Sequence, residues 1–115
     1  MRDDAVILSC LAQRLAQHEL APDGRVIVLQ PRFAWKPMQA LMVRWNRPHI
    51  RVKLDEVGSF IWLRCDGALV VSEIAAALEQ HYGERVPHAK ARTLLFLRSL
   101  VRSKLVALHR SPPTS

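Results

Sequence analysis

The chain has 115 residues, half of them hydrophobic, and carries a formal net charge of +7. That length can build one domain with its own core, without disulfides or a metal to hold it together. No apolar run is long enough to cross a bilayer, and Asp3 and Asp4 stand where a secretory signal would have its basic start, so a cytoplasmic protein is expected.

In chain order, Val6, Ile7, Leu8, Leu11 and Leu15 suit a short amphipathic helix over residues 5–14. The Pro22-Asp23-Gly24 turn and the β-branched run after it predict strands over residues 17–20 and 25–30, and Pro31 stops the second. Residues 34–48 read two ways. Pro37 fits a first helical turn and Met38, Leu41, Met42 and Trp45 share a face, so a cover over the core is favoured over a partner- or membrane-docking segment. From Pro48 the pattern is clean: Ile50, Val52 and Leu54 alternate with Arg51 and Lys53, which predicts a strand with one buried and one solvated face.

Asp55 then caps a helix over residues 55–65, with Glu56 adding favourable charge at its start. Gly58 leaves room for close approach of another backbone, and Gly67 is expected at positive φ just past the end of that helix. A second helix runs over residues 72–82 and is stopped by Gly83. A third runs over 88–103 behind Pro87. Its inner stripe is Ala89, Thr93, Phe96, Leu97 and Leu100, while Leu94, Arg98 and Val101 lie along the next line and Leu95 with Arg102 along the one after. A short closing strand over 104–108 and a disordered tail complete the chain. The expected shared core is Phe60, Ile61, Ile74, Leu78, Phe96, Leu97 and Leu100.

The charge is unevenly placed. Residues 1–84 hold ten basic and ten acidic side chains, whereas residues 85–115 hold seven basic ones and no acid. Such a segment favours an anionic partner over an inert solvated face. No catalytic constellation is present. The five histidines are scattered, Cys10 and Cys65 have no metal-ligand spacing, and Asp55 and Glu56 are accounted for as cap and first-turn charge. Neither an enzyme nor a bound cofactor or metal is expected.

Leu54-Asp55, Gly58, the Cys65-Asp66-Gly67 turn, Glu73-Ile74, Leu78, Thr93, Phe96-Leu97 and Leu100 together resemble the PqqD-like family of small peptide-binding domains, over roughly residues 14 to 108. The resemblance implies an α+β, winged-helix-like domain over residues 15–109, a small three-stranded antiparallel sheet followed by three helices. A helical extension, residues 1–14, would precede it and a tail, 110–115, would follow. It implies a non-catalytic adaptor that captures the leader segment of a ribosomally made precursor peptide as an added strand. A separate modifying enzyme, a radical enzyme (radical SAM in type) or a ligase, would act on the peptide so presented.

The residues support that mode beside the resemblance. An edge strand offers unpaired N–H and C=O groups that bind an extended chain with little sequence demand, and also invite a homodimer. The expected peptide-binding residues are Ile50, Arg51, Val52, Lys53 and Leu54 on the strand and Leu94, Leu95, Arg98, Val101 and Arg102 on the third helix. The peptide would lie antiparallel along the strand with its side chains against Leu94, Arg98 and Val101. The competing reading is a winged helix-turn-helix protein that binds DNA through the same basic helix. Against it, the start of that helix shows Ala89, Ala91 and Leu94 where a recognition helix exposes groups for base edges, so peptide binding is preferred to nucleic acid.

Overall fold

The structure, a computed structural model, describes residues 2–31 and 49–110. The expected excursion at 34–48 and the tail at 111–115 lie outside the described residues. The fold is α+β, built from two small antiparallel sheets and several helices.

Helix α1 (Arg2–Leu8) leads into β1 (Cys10–Arg14), β2 (Gln17–Leu20), β3 (Val26–Pro31) and β4 (His49–Lys53). Then follow α2 (Glu56–Leu63), β5 (Asp66–Val70), α3 (Val71–Tyr82), a 3-10 turn at Gly83–Arg85, α4 (Ala89–Arg102) and β6 (Val106–Arg110).

One sheet has the order β2-β3-β4 and is a meander. Its first hairpin closes on the expected turn: Asp23 Oδ1 accepts from the Arg25 N–H at 3.0 Å, and Gly24 sits at φ +87°. In register, Val28 faces Val52, and Val26, Val28 and Leu54 are buried beneath α2 while Arg51 and Lys53 stay outside.

The second sheet, β5-β1-β6, was not expected from the sequence. Residues 5–14 do not continue as a helix. The chain leaves α1 at Leu8, and β1 becomes the central strand between β5 and β6, with Cys10 and Ala12 buried. A short apolar run fits a helix or a strand about equally well, and here pairing partners distant in sequence decide between them. The segment before residue 15 is therefore built into the fold. It also reaches α2, because Arg14 Nη1 donates to the carbonyls of Trp62 at 3.1 Å and Leu63 at 3.0 Å. A cation at these last-turn carbonyls offsets the negative end of the helix dipole.

The core is centred on Ile61, Trp62, Ile74, Leu78, Leu97 and Val71, all fully buried. Phe60 and Phe96, expected there, are instead half-buried and pack against its edge. Trp62 takes the central place, one residue from the expected Ile61. Ser59 joins α2 to the sheet, its Oγ accepting from the Val26 N–H at 2.8 Å.

Helix starts follow local chemistry. Asp55 Oδ1 accepts from the Gly58 N–H at 2.7 Å, an N-cap bond that fixes where α2 begins. Helix α3 begins at Val71, not at Ser72, and Glu73 Oε1 reaches back to accept from the Val70 N–H at 3.0 Å. Gly67 has φ +83° as expected, but it lies within β5 and not at the helix end, which comes earlier at Leu63.

Candidate functional site

Strand β4 pairs with β3 along one side, and among the described residues no strand pairs with the other. Its direction carries the chain through Leu54 into the Asp55 cap. At that end a cleft of about 370 Å³ opens between α2 and α4. Val57, Gly58 and Ile61 line it from α2, and Arg92, Leu95, Phe96 and Ser99 from α4.

Helical spacing explains both walls. Arg92, Leu95, Phe96 and Ser99 stand at i, i+3, i+4 and i+7, one continuous line. Gly58 makes the floor: a Cβ there would lie 3.0 Å from Asp55 Oδ1 and 3.2 Å from Phe96 Cζ. The absent side chain therefore lets the Phe96 ring lie directly on α2. The cleft is apolar inside, with the Arg92 guanidinium and Asp55 carboxylate as its charged members.

The residues expected to bind peptide fall into three groups. Ile50, Val52 and Leu54 occupy the core-facing side of β4, and exposure falls along it from 38% at Ile50 to 9% at Leu54. Arg51 and Lys53 occupy the opposite side and are already engaged, Arg51 with Glu19 on β2 and Lys53 Nζ with Asp23 Oδ2 at 3.0 Å. The Arg25 N–H and the Lys53 ammonium hold the Asp23 carboxyl below the usual carboxylate range.

On α4 the lines separate. Leu95 is 73% exposed at the cleft, and Arg102 is exposed further along. Leu94 is buried at 7% exposure, and Arg98 on the same line forms an ion pair with Asp4 of α1. Val101 is 36% exposed. The structure thus sets Leu95 in the cleft whose nearest member to β4 is Asp55, two residues past the strand, and turns the line through Leu94 and Arg98 toward the N-terminal helix. Arg92, Phe96 and Ser99 were not named as binding residues from the sequence. Their signal was the lone Gly58, which marks a helix surface onto which a large side chain packs.

Burial pushes the Cys65 thiol up to about 12, with Arg14 opposing and Asp66 adding to the shift, and its Sγ donates to the Ile61 carbonyl at 3.3 Å. Among the described residues, no group of three or more His, Cys, Asp or Glu side chains could hold a metal ion, and no helix is long and apolar enough to cross a membrane.

A family model described as Coenzyme PQQ synthesis protein D (PqqD) matches residues 47–106, more than half of the chain, from just before β4 to the start of β6. No curated protein and no solved structure matches it.

Proposed function

The chain belongs to the PqqD family, and on that premise we propose that it is a non-catalytic peptide-binding adaptor in the biosynthesis of pyrroloquinoline quinone or of another ribosomally made, modified peptide. It captures the leader segment of a precursor as a strand along the open side of β4 and presents it to a separate enzyme. The observation that carries this reading is the joining of two features at one place. A strand edge with no partner among the described residues is followed, two residues on, by Asp55 at an apolar cleft floored by Gly58 and walled by Phe96.

Backbone pairing with β4 supplies affinity with little demand on sequence. The side chains that alternate on the added strand supply specificity, those on the core-facing side following Ile50 and Val52 toward the cleft. Leu95 and Phe96 give an apolar seat there, and Arg92 and Arg102 flank it with positive charge, so the preferred peptide pairs an apolar anchor with acidic neighbours. The exposed Leu95 at the centre of this helix face suits an apolar side chain and offers nothing to a base edge, which again favours peptide over DNA.

The test is peptide selection followed by mapping. Random peptides displayed on phage are selected on the protein, a winning sequence is synthesised, and backbone amide shifts are followed during its titration. Shifts concentrated on Ile50–Leu54 and on Arg92–Ser99 are expected. A selected peptide that binds while leaving those amides unmoved rules out this mode, and a steep loss of affinity with salt would point to a simple polyanion site.

A further inference from the structure

The outward side of the β2-β3-β4 sheet carries two ion pairs, and both reach away from the open side of β4. The register lines up Gln17, Leu29 and Arg51 in one row and Glu19, Ile27 and Lys53 in the next. Arg51 leaves its own row: its guanidinium crosses β3 to pair with Glu19 on β2. Lys53 does the same one step further along, where its Nζ lies 3.0 Å from Asp23 Oδ2 in the turn that joins β2 to β3. Each cation of β4 is therefore drawn toward β2, over a strand whose outward residues, Ile27 and Leu29, are half-buried.

An extended chain added to the open side of β4 alternates like any strand. Every second side chain shares the face of Arg51 and Lys53, and those directly opposite come within about 5 Å between Cβ atoms. They meet cations that are already held. An acidic residue there gains Arg51 only by taking it from Glu19, which exchanges one ion pair for another with no net gain. A basic residue there meets a face whose two cations and two carboxylates sum to zero. The other side of the added strand differs, because it follows Ile50 and Val52 toward the cleft. There Arg92 pairs with no carboxylate among the described residues, and Asp55 is committed to the cap of α2.

We infer that Glu19 and Asp23 are specificity-determining residues for the peptide: they mask the cations of β4, so that charge is read on the cleft side of the added strand and ignored on its outward side. The inference rests on the adaptor reading and deepens it. The substrate becomes a leader whose acidic and apolar residues fall at alternate positions, facing the cleft, with any charge allowed between them. Exposed ion pairs of this kind add little to folding. Their consequence here is in discrimination, since specificity is a difference of affinities and a compensated cation contributes none.

The experiment takes the phage-selected peptide and identifies its two residues opposite Arg51 and Lys53 by cross-strand nuclear Overhauser contacts. Three versions are made in which both of those residues are Gln, Glu or Lys, and their binding to the full chain is measured by calorimetry at low salt. For the parent the three affinities should agree to within about twofold. Glu19→Gln/Asp23→Asn keeps both sizes and leaves an amide oxygen for the Arg25 N–H. That variant should bind the Glu peptide about tenfold tighter than the Gln peptide, roughly threefold for each cross-strand charge pair, and the preference should fade at high salt. A purely structural role for the two acids would shift all three peptides equally. A parent that already prefers the Glu peptide tenfold, or a variant without any preference, overturns the inference and leaves the adaptor reading standing. A selected peptide with no contacts to β4 defeats the adaptor reading itself, and the mask with it.

Discussion

Gly58→Ala is the sharpest probe of the cleft, because two effects of similar size oppose each other there. Glycine inside a helix is worse than alanine by roughly 0.5–1 kcal/mol, so propensity alone favours the substitution. Against it, the new Cβ would sit 3.0 Å from Asp55 Oδ1 and 3.2 and 3.3 Å from two Phe96 ring carbons. Carbon contacts are comfortable at about 3.5–4.0 Å, so these neighbours must give way by a few tenths of an ångström.

Asp55 cannot move freely, since its carboxylate caps α2 through the Gly58 N–H itself. Phe96 can, since its ring is half-buried at the wall of an open cleft. Overpacking typically costs about 1–3 kcal/mol, at the low end where a neighbour can yield. The net expectation is a destabilisation of about 1 kcal/mol or less, read by urea unfolding. The displaced ring, however, moves into the space proposed for the peptide's anchor. Calorimetric titration with the selected peptide should show affinity reduced by about tenfold, roughly 1.4 kcal/mol. A variant stabilised by the full propensity gain and binding as tightly as the parent would refute both the close approach and the placing of the anchor.

Three further expectations follow from the fold. Ser59→Ala leaves the buried Val26 N–H without its acceptor and should cost about 1–3 kcal/mol in urea unfolding, with peptide affinity unchanged. Arg14→Ala removes two charge-assisted bonds from the end of α2 and should cost about 1–3 kcal/mol, with the earliest loss of hydrogen-exchange protection at residues 61–65. Cys65 is held at about 12 against an ordinary 9.0, so its thiol stays protonated in the native state while the unfolded one ionises. The stability it contributes is complete below pH 9 and is lost as pH rises toward 12, up to about 4 kcal/mol in all, so Cys65→Ala should flatten unfolding curves measured from pH 8 to 11.

What the sequence alone determined is what lies within a few residues of its cause. The Asp55 cap, the Pro22-Asp23-Gly24 hairpin and the alternation of β4 all depend on neighbours along the chain, and each stands where its residues placed it; the positive φ of Gly67 is present too, but within β5. The α+β class and the family followed from the order of these local signals. Strand β1 was hidden because nothing in Cys10–Arg14 makes it a strand except β5 and β6, which flank it from later in the chain. On α4 the spacing predicted the inner stripe Ala89, Thr93, Leu97 and Leu100, all buried, but not which neighbouring line faces the cleft. A helix apolar on more than one side leaves its outer lines undecided by periodicity. Tertiary contacts chose: Asp4 of α1 took Arg98, Leu94 went into the core beside it, and the bare surface at Gly58 received Phe96. The cleft beside β4 is therefore lined by Arg92, Leu95, Phe96 and Ser99 because of where α1 and α2 pack, which no reading of α4 by itself contains.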